Sequence, residues 1–366
     1  MNFNMKMLTL ARETSGLTQS ALAHAVGISQ AHISQMEHGL EEPSEAVAKK
    51  LASELQVPIE FFYRPDETVS EGLVDFFHRR RHTLPAKPLK RAHALANTIR
   101  LELLRLLQGV ELTEVQPWPV FSSEEHSPEE AAQMLRASWR LPAGPAPSLV
   151  GLVEAAGVPV VLCDLGHEKL RAISMPGIGG RHIVLLNRRM SASNLRFSMA
   201  HELGHLVMHV GTASTNLEAE ADRFASEFLM PANDIRPQLR GVRFGDLGTL
   251  KHRWSVSLAA LIRRARDLEQ ITDRQYAYMN MQLNNLPGGR KSEPGEFAYE
   301  EPGLVRHVID FLITGLKYTI SQVAQVMVAL EETVRSRYLG DSTQRLRAVG
   351  APGRKLYQLP VPPSSV

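Results

Sequence analysis

The sequence predicts a mainly α-helical, multidomain protein. An all-α module comes first, an α+β domain with a small sheet follows, and a helical region comes last. Apolar residues recur at helical spacing over most of the 366 residues. A β-branched run at 158–163 and two more strand candidates, at 171–174 and 182–187, lie close together, as expected for a small sheet. The length also exceeds what one domain usually spans.

Residues 4–63 are expected to form five short helices around one small core. A hydroxyl side chain precedes three of these helices as an N-cap, at Thr18, Ser29 and Ser44. Gly27 makes the turn between the second and third helices, because glycine takes positive φ freely. This pair of helices has the spacing of a helix-turn-helix.

Residues 8–62 contain the stretches LTQSALAHAVGISQAHISQMEHG and EPSEAVAKKLASELQVPIEFF. These stretches resemble the phage-repressor (XRE-like) DNA-binding domain. The resemblance implies a lambda-repressor-like fold whose third helix enters the major groove of a double-stranded DNA operator. By position, base edges are expected to meet Gln30, Ala31 and Gln35, and phosphates to lie near Gln19 and Ser34. Such domains usually bind as dimers, so we expect a homodimer. The alternative is a helical protein-docking module.

The charge of this module is low for a DNA-binding domain, since residues 1–64 hold five Lys/Arg against seven Glu. Contacts with phosphate normally supply much of the affinity for DNA. Residues 75–105 hold eight Lys/Arg against two acidic residues. The run HRRRH therefore offers candidate phosphate contacts at Arg79, Arg80 and Arg81. A solvated linker explains the same run equally well.

These signals divide the chain into five segments. Residues 1–64 form the helix-turn-helix domain, and 65–126 form a basic linker with a connecting amphipathic helix. A capping box and a proline at residues 127–130 begin a helix and, with it, a second domain over 127–240. Residues 241–345 are predicted to form further helices for packing or oligomerisation, and 346–366 a disordered tail.

The helix predicted over 195–209 carries the motif HELGH. Positions four apart share one helix face, so His201 and His205 can both direct a ring nitrogen to one metal ion. Glu202 lies one step round the helix, where it can act as a general base. Apolar neighbours argue against two solvated surface histidines. The pattern is typical of zinc hydrolases.

Catalytic zinc sites usually use three protein ligands, so a further ligand is expected. His209 lies about 12 Å along the same helix from His201, too far to share one ion. The next predicted helix, 217–230, places Glu218 beside its apolar stripe and Glu220 on its charged side. We therefore favour Glu218 as the third ligand.

Two neighbours of Glu218 on that helix receive other predicted roles. Asp222, one turn further on, is expected to accept a hydrogen bond from a ligand histidine and fix its tautomer. Glu220 is expected to be a solvated surface residue that pairs with Arg223.

The stretches RFSMAHELGHLVMH and EAEADRFASEFLMP resemble the ImmA/IrrE family of metallopeptidase domains, over roughly 150–235. The resemblance implies a zincin-like (gluzincin) site in which Zn²⁺ is held by His201, His205 and Glu218, with Glu202 as general base. It also implies a repressor-type or toxin protein as substrate or partner. An edge strand beside the cleft is expected to pair with an extended peptide.

The cysteine count, the apolar runs and the N-terminal residues indicate where in the cell the protein is expected. One cysteine, Cys163, excludes an internal disulfide. No apolar run approaches the roughly 20 residues that span a bilayer. The N-terminal residues lack the apolar core of a signal peptide. We expect a cytoplasmic protein without a membrane partner.

The sequence thus predicts a transcriptional regulator of the antitoxin, prophage or stress type. It would bind a specific operator and carry a zinc metallopeptidase domain that cleaves a repressor-type protein. Two alternatives stay open. One is a regulatory zinc protease whose helix-turn-helix docks a protein substrate, and the other is a DNA-binding regulator with a non-catalytic zinc site.

Overall fold

A computed structural model describes residues 2–65, 85–110, 116–177, 182–209, 216–289 and 293–340. The candidate phosphate contacts in HRRRH and the tail at 346–366 lie outside the described residues. Among the helices that are described, none is both long and apolar enough to cross a membrane.

The N-terminal module has the five helices that the sequence predicts. They are α1 (Met5–Thr14), α2 (Gln19–Val26), α3 (Gln30–Glu37), α4 (Glu45–Glu54) and a 3₁₀-helix (Ile59–Tyr63). The hydroxyls of Thr18, Ser29 and Ser44 accept hydrogen bonds from backbone N–H groups in α2, α3 and α4. Gly27 has a φ of 75°, which allows the turn between α2 and α3. Local capping therefore fixes the helix starts.

The middle of the chain forms a three-stranded sheet. The strands are β1 (Val160–Cys163), β2 (Ala172–Pro176) and β3 (His182–Asn187), in the spatial order β1-β3-β2. β1 is parallel to β3, and β2 is antiparallel to it. β2 is thus an edge strand of this sheet.

Twelve α-helices of the described residues surround the sheet or extend the body. The connecting helix is α5 (Ala86–Leu106). Around and after the sheet come α6 (Pro128–Ser138), α7 (Leu149–Ala155), α8 (Ala192–Met208), α9 (Leu217–Leu229) and α10 (Ala232–Leu239). The C-terminal part holds a 3₁₀-turn (Phe244–Asp246), α11 (Leu247–Trp254), α12 (Leu258–Asp267), α13 (Asp273–Asn284) and α14 (Leu304–Thr314). Two short helices follow, α15 (Ile320–Met327) and α16 (Glu331–Val334), and a π-helical turn (Arg335–Leu339).

Both faces of the sheet are buried, because its side chains alternate between two cores. Val160, Ala172 and Val184 pack with α8, α9 and the helices as far as α13. Val161, Ile173 and Leu185 pack with α5 and the C-terminal helices α14 and α15. The sequence predicts a sheet beside the HELGH helix. It does not indicate that the last helices return to cover the opposite face.

Helix α5 is buried on two sides. Ile99 and Leu103 lie in the core on the sheet side, as its amphipathic pattern predicts. Ala94 and Leu101 belong instead to the core of the N-terminal module. The Thr98 hydroxyl also lies 3.1 Å from that of Thr14 in α1. One helix is therefore shared by the N-terminal module and the body.

A buried charge cluster fixes the C-terminal helices to α5. Glu102 accepts hydrogen bonds from Arg337 Nη1 at 2.7 Å and from the Tyr338 hydroxyl at 2.5 Å. The Glu102 side chain is 4% exposed. A carboxylate at such a depth needs a paired cation, which Arg337 supplies.

Candidate metal centre

The HELGH motif lies on α8, which is buried along almost its whole length. Leu195, Met199, Leu203 and Leu206 are core residues. They fix the rotation of the helix, because its apolar side must face the sheet and its neighbours. This rotation turns both histidines of the motif toward α9.

Gly204 of HELGH lets α9 approach α8 closely. A Cβ at position 204 would lie 3.0 Å from Phe224 Cδ1 and 3.2 Å from Phe224 Cβ. Glycine in a helix interior costs about 1 kcal/mol relative to alanine. The close contact with Phe224 explains why this helical position is a glycine. The same contact brings the start of α9 close to the two histidines.

The three predicted ligands lie together. The Nε2 atoms of His201 and His205 are 3.1 Å apart. The Glu218 carboxylate oxygens lie 3.6 Å from His201 Nε2 and 3.5 Å from His205 Nε2. Tetrahedral zinc with bonds of about 2.1 Å separates its ligand atoms by about 3.4 Å. The donor set and its spacing therefore fit one zinc ion.

The charges of this group favour a cation. Burial acts to raise the pKa of Glu218, but hydrogen bonds with His201 and His205 hold it well below its usual range. Burial also opposes protonation of His201, yet Asp222 and Glu218 raise its pKa to about 9. A metal ion must displace the proton from this ring, so metal affinity should fall as the pH is lowered.

Asp222 lies where the sequence places it. Its Oδ1 is 2.8 Å from Nδ1 of His201. A carboxylate on Nδ1 directs the proton of the neutral ring to that atom and leaves Nε2 to a metal.

The prediction that Glu220 is a solvated surface residue is wrong. Glu220 Oε2 lies 3.0 Å from Nε2 of His209, which is fully buried. Arg223 pairs with Glu129 of α6, with 2.6 Å between Nη2 and Oε2. A helical wheel shows only which residues of α9 share a face. It does not show that the first turn of α9 packs beside the end of α8. His209 is not one of the three clustered residues, His201, His205 and Glu218.

Glu202 contacts Ser174, a residue that the sequence did not indicate as part of the site. The Ser174 hydroxyl donates a hydrogen bond to Glu202 Oε2 at 2.7 Å, and both side chains are buried. Ser174 shares the α8-facing side of β2 with Ala172, two positions earlier. A serine at an inward position of an apolar strand is the feature of the sequence that could have indicated this contact. Its hydroxyl holds one carboxylate oxygen of Glu202.

The helix-turn-helix face is accessible. Gln30, Ala31 and Gln35 are exposed on α3, while Gln19 and Ser34 are partly exposed. These five residues lie on the same two helices, α2 and α3, as the sequence predicts.

A polar network behind this face orients two of the glutamines. Gln30 Nε2 donates to Gln19 Oε1 at 2.8 Å, and Gln19 Nε2 donates to Glu37 Oε2 at 2.7 Å. Glu37 is in turn bound by the Arg12 guanidinium. Helical spacing does not single out Arg12 and Glu37, whose pairing joins α1 to α3.

Two family models match the chain. One, described as helix-turn-helix, matches residues 8–62. The other, a peptidase M78 model described as the IrrE N-terminal-like domain, matches residues 153–266. No curated protein matches the chain. The chain thus carries both domains in one polypeptide, as the sequence predicts. The second match continues past residue 240 into α12, where Arg264 binds Glu227 of α9.

Replacing Gly204 with valine is expected to push α9 away from α8. The added side chain meets Phe224, and overpacking of this kind costs about 1–3 kcal/mol. Zinc affinity should fall as well, because Glu218 moves with α9. Urea unfolding and competition with a zinc chelator measure the two effects. Gly248→Val is the matched control, since no atom lies within 4 Å of a Cβ at that helical position. Wild-type zinc affinity in Gly204→Val would contradict this role.

Proposed function

We propose that the chain is an operator-binding transcriptional regulator whose zinc metallopeptidase domain cleaves a repressor-type protein. The observation that carries this proposal is the zinc-compatible group of His201, His205 and Glu218 beside Glu202, in a chain with a helix-turn-helix domain. The peptidase M78 match supports a metallopeptidase-type domain. The exposed face of α3 supports binding to DNA.

In this proposal His201, His205 and Glu218 hold the zinc ion. When bound, zinc supplies Lewis-acid polarisation of the scissile carbonyl. Glu202 accepts a proton from the attacking water and later passes it to the leaving amine. Ser174 holds one oxygen of Glu202, which leaves the other to take the proton.

We assign binding of the substrate to the edge strand β2. Its Ser174 contacts Glu202, so the strand runs alongside the general base. Ala172 to Met175 are buried, so an extended peptide would add to this edge as a further strand only after the residues that cover it move aside.

The regulator half of the proposal assigns α3 to the major groove of an operator. Gln30 and Gln35 would contact base edges, since a glutamine amide offers a donor and an acceptor to adenine. A homodimer would place two copies of α3 on two half-sites. Zinc binding and cleavage would then alter regulation through a domain of the same chain.

Replacing Gln35 with alanine is expected to relax base preference at one operator position. Loss of one bidentate contact costs about 1–3 kcal/mol at the preferred base. Sites selected from a random DNA pool by the wild type and the variant give the comparison. Glu60→Ala is the control, because Glu60 is exposed on the 3₁₀-helix and away from α3. An unchanged base preference would exclude Gln35 from base recognition.

Genome-wide mapping of DNA sites for the wild type and Glu202→Gln tests operator binding and the role of cleavage together. We expect the same sites for both proteins, with altered occupancy or regulated expression only when cleavage is lost. If the wild type cleaves a protein but occupies no specific sites, the helix-turn-helix docks a substrate instead. If Glu202→Gln changes neither occupancy nor expression, peptide cleavage has no part in regulation.

A further inference from the structure

Behind His205, a row of hydrogen-bonded side chains runs away from the ligand position. His205 Nδ1 lies 2.9 Å from His209 Nδ1, and His209 Nε2 lies 3.0 Å from Glu220 Oε2. His205 and His209 are 1% and 0% exposed, and Glu220 is 19% exposed. Two buried imidazoles thus connect the metal-ligand position to a carboxylate near the surface.

The carboxylate at the far end sets the direction of every hydrogen bond in this row. An ionised Glu220 can only accept, so Nε2 of His209 must carry a proton. A neutral His209 then presents Nδ1 as an acceptor, and Nδ1 of His205 must donate to it. A neutral His205 is left with a lone pair on Nε2, the nitrogen that faces Glu218 and His201. That lone pair is what a metal ligand requires.

The second ligand histidine is held in a parallel way by a shorter route. His201 Nδ1 contacts Asp222 directly, at 2.8 Å from Oδ1. Three carboxylates at alternate positions of α9 therefore have three tasks. Glu218 faces the ligand nitrogens, Asp222 holds His201, and Glu220 reaches His205 through His209.

We propose that His209 and Glu220 are positioning residues that fix His205 in the tautomer and orientation that bind the metal ion. The inference rests on the zinc site of the proposed function, but not on peptide cleavage. His209 acts through His205 and does not touch the ion, and Glu220 acts through His209. Removal of either residue should weaken zinc binding even where the fold is kept.

The test is zinc affinity of the full chain, measured by competition with a chelator. His209→Phe keeps a ring but removes both nitrogens, and Glu220→Ala removes the terminal acceptor. Each should weaken zinc binding, by about 10–100-fold for a partner directly on a ligand such as His209. His209→Asn should restore most of the affinity, because its amide oxygen can accept the Nδ1 proton of His205. Arg236→Ala on the following helix, α10, is the control and should bind as the wild type does, since Arg236 is exposed.

A role for His209 in packing alone makes different predictions. The asparagine variant would then be as damaging as the phenylalanine variant, and Glu220→Ala would have no effect on zinc affinity. Nitrogen-15 spectra of histidine-labelled protein add a direct readout, since the row requires the proton of His205 on Nδ1 and that of His209 on Nε2. The opposite assignment would overturn the proposal.

The outcomes separate this inference from the function on which it rests. A wild-type chain that fails to bind zinc contradicts the metal site itself. Zinc binding by the wild type with unchanged affinity in His209→Phe and Glu220→Ala overturns the positioning role alone. If His209→Phe does not fold, Glu220→Ala decides, because its substitution lies near the surface and removes little packing.

Discussion

Replacing Glu202 with glutamine is expected to abolish peptide cleavage while the chain still binds zinc. The amide has nearly the shape of the carboxylate and can accept the hydrogen bond from Ser174, but it cannot take a proton from water. General acid–base catalysis typically contributes about 10²–10⁴-fold to a rate, so cleavage should fall by that factor. The measurement pairs the cleavage rate of a repressor-type protein with zinc content.

His205→Ala provides the contrasting variant, since it should lose zinc and cleavage together. Ser174→Ala should keep zinc and lose only part of the activity, because Glu202 remains able to accept a proton. Wild-type cleavage by Glu202→Gln would exclude Glu202 as the general base. Loss of zinc from Glu202→Gln would show instead that this side chain supports the metal site.

Arg337→Leu is the substitution for which we expect the largest loss of stability. It leaves Glu102 buried with no cation, and breaking a buried ion pair in this way costs about 3–5 kcal/mol. Arg335→Leu is the matched control two residues earlier. Arg335 is 56% exposed and pairs with Glu331 one turn before it, so its loss should cost less than about 1 kcal/mol. Urea unfolding of the full chain measures both variants.

A double variant distinguishes an unpaired charge from lost packing. Glu102→Leu together with Arg337→Leu removes both charges, and a buried pair replaced by apolar residues is often neutral in stability. We therefore expect the double variant to be more stable than Arg337→Leu alone. Equal losses in the single and double variants would mean that packing, not the buried carboxylate, accounts for the effect.

The features predicted well from the sequence are those set by nearby residues. The helix starts at Thr18, Ser29 and Ser44 depend on caps that lie beside them in the chain. His201 and His205 share a helix face through their spacing alone. The apolar stripe of the helix that carries Glu218 shows which side faces inward, and Glu218 lies on that side with the two histidines.

The features that were missed depend on pairs of distant elements. Ser174 reaches Glu202 from a strand, and Arg337 reaches Glu102 from the other end of the chain. Helical spacing carries no information on such pairs, because the packing of one element on another decides them. Glu220 was assigned to the surface for the same reason, since a single helix cannot show that a buried His209 lies opposite.

The two-sided burial of α5 has a consequence for how the chain could read an operator. Ala94 and Leu101 complete the core of the N-terminal module, while Ile99 and Leu103 are anchored to the sheet. Helix α3, which we propose reads the operator, is therefore attached to the body through a packed helix instead of a free tether. In a dimer, the contact between the bodies of the two copies would set the number of base pairs that separate the two half-sites. An operator with its half-sites moved by a few base pairs should then be rejected, even with every base contact intact.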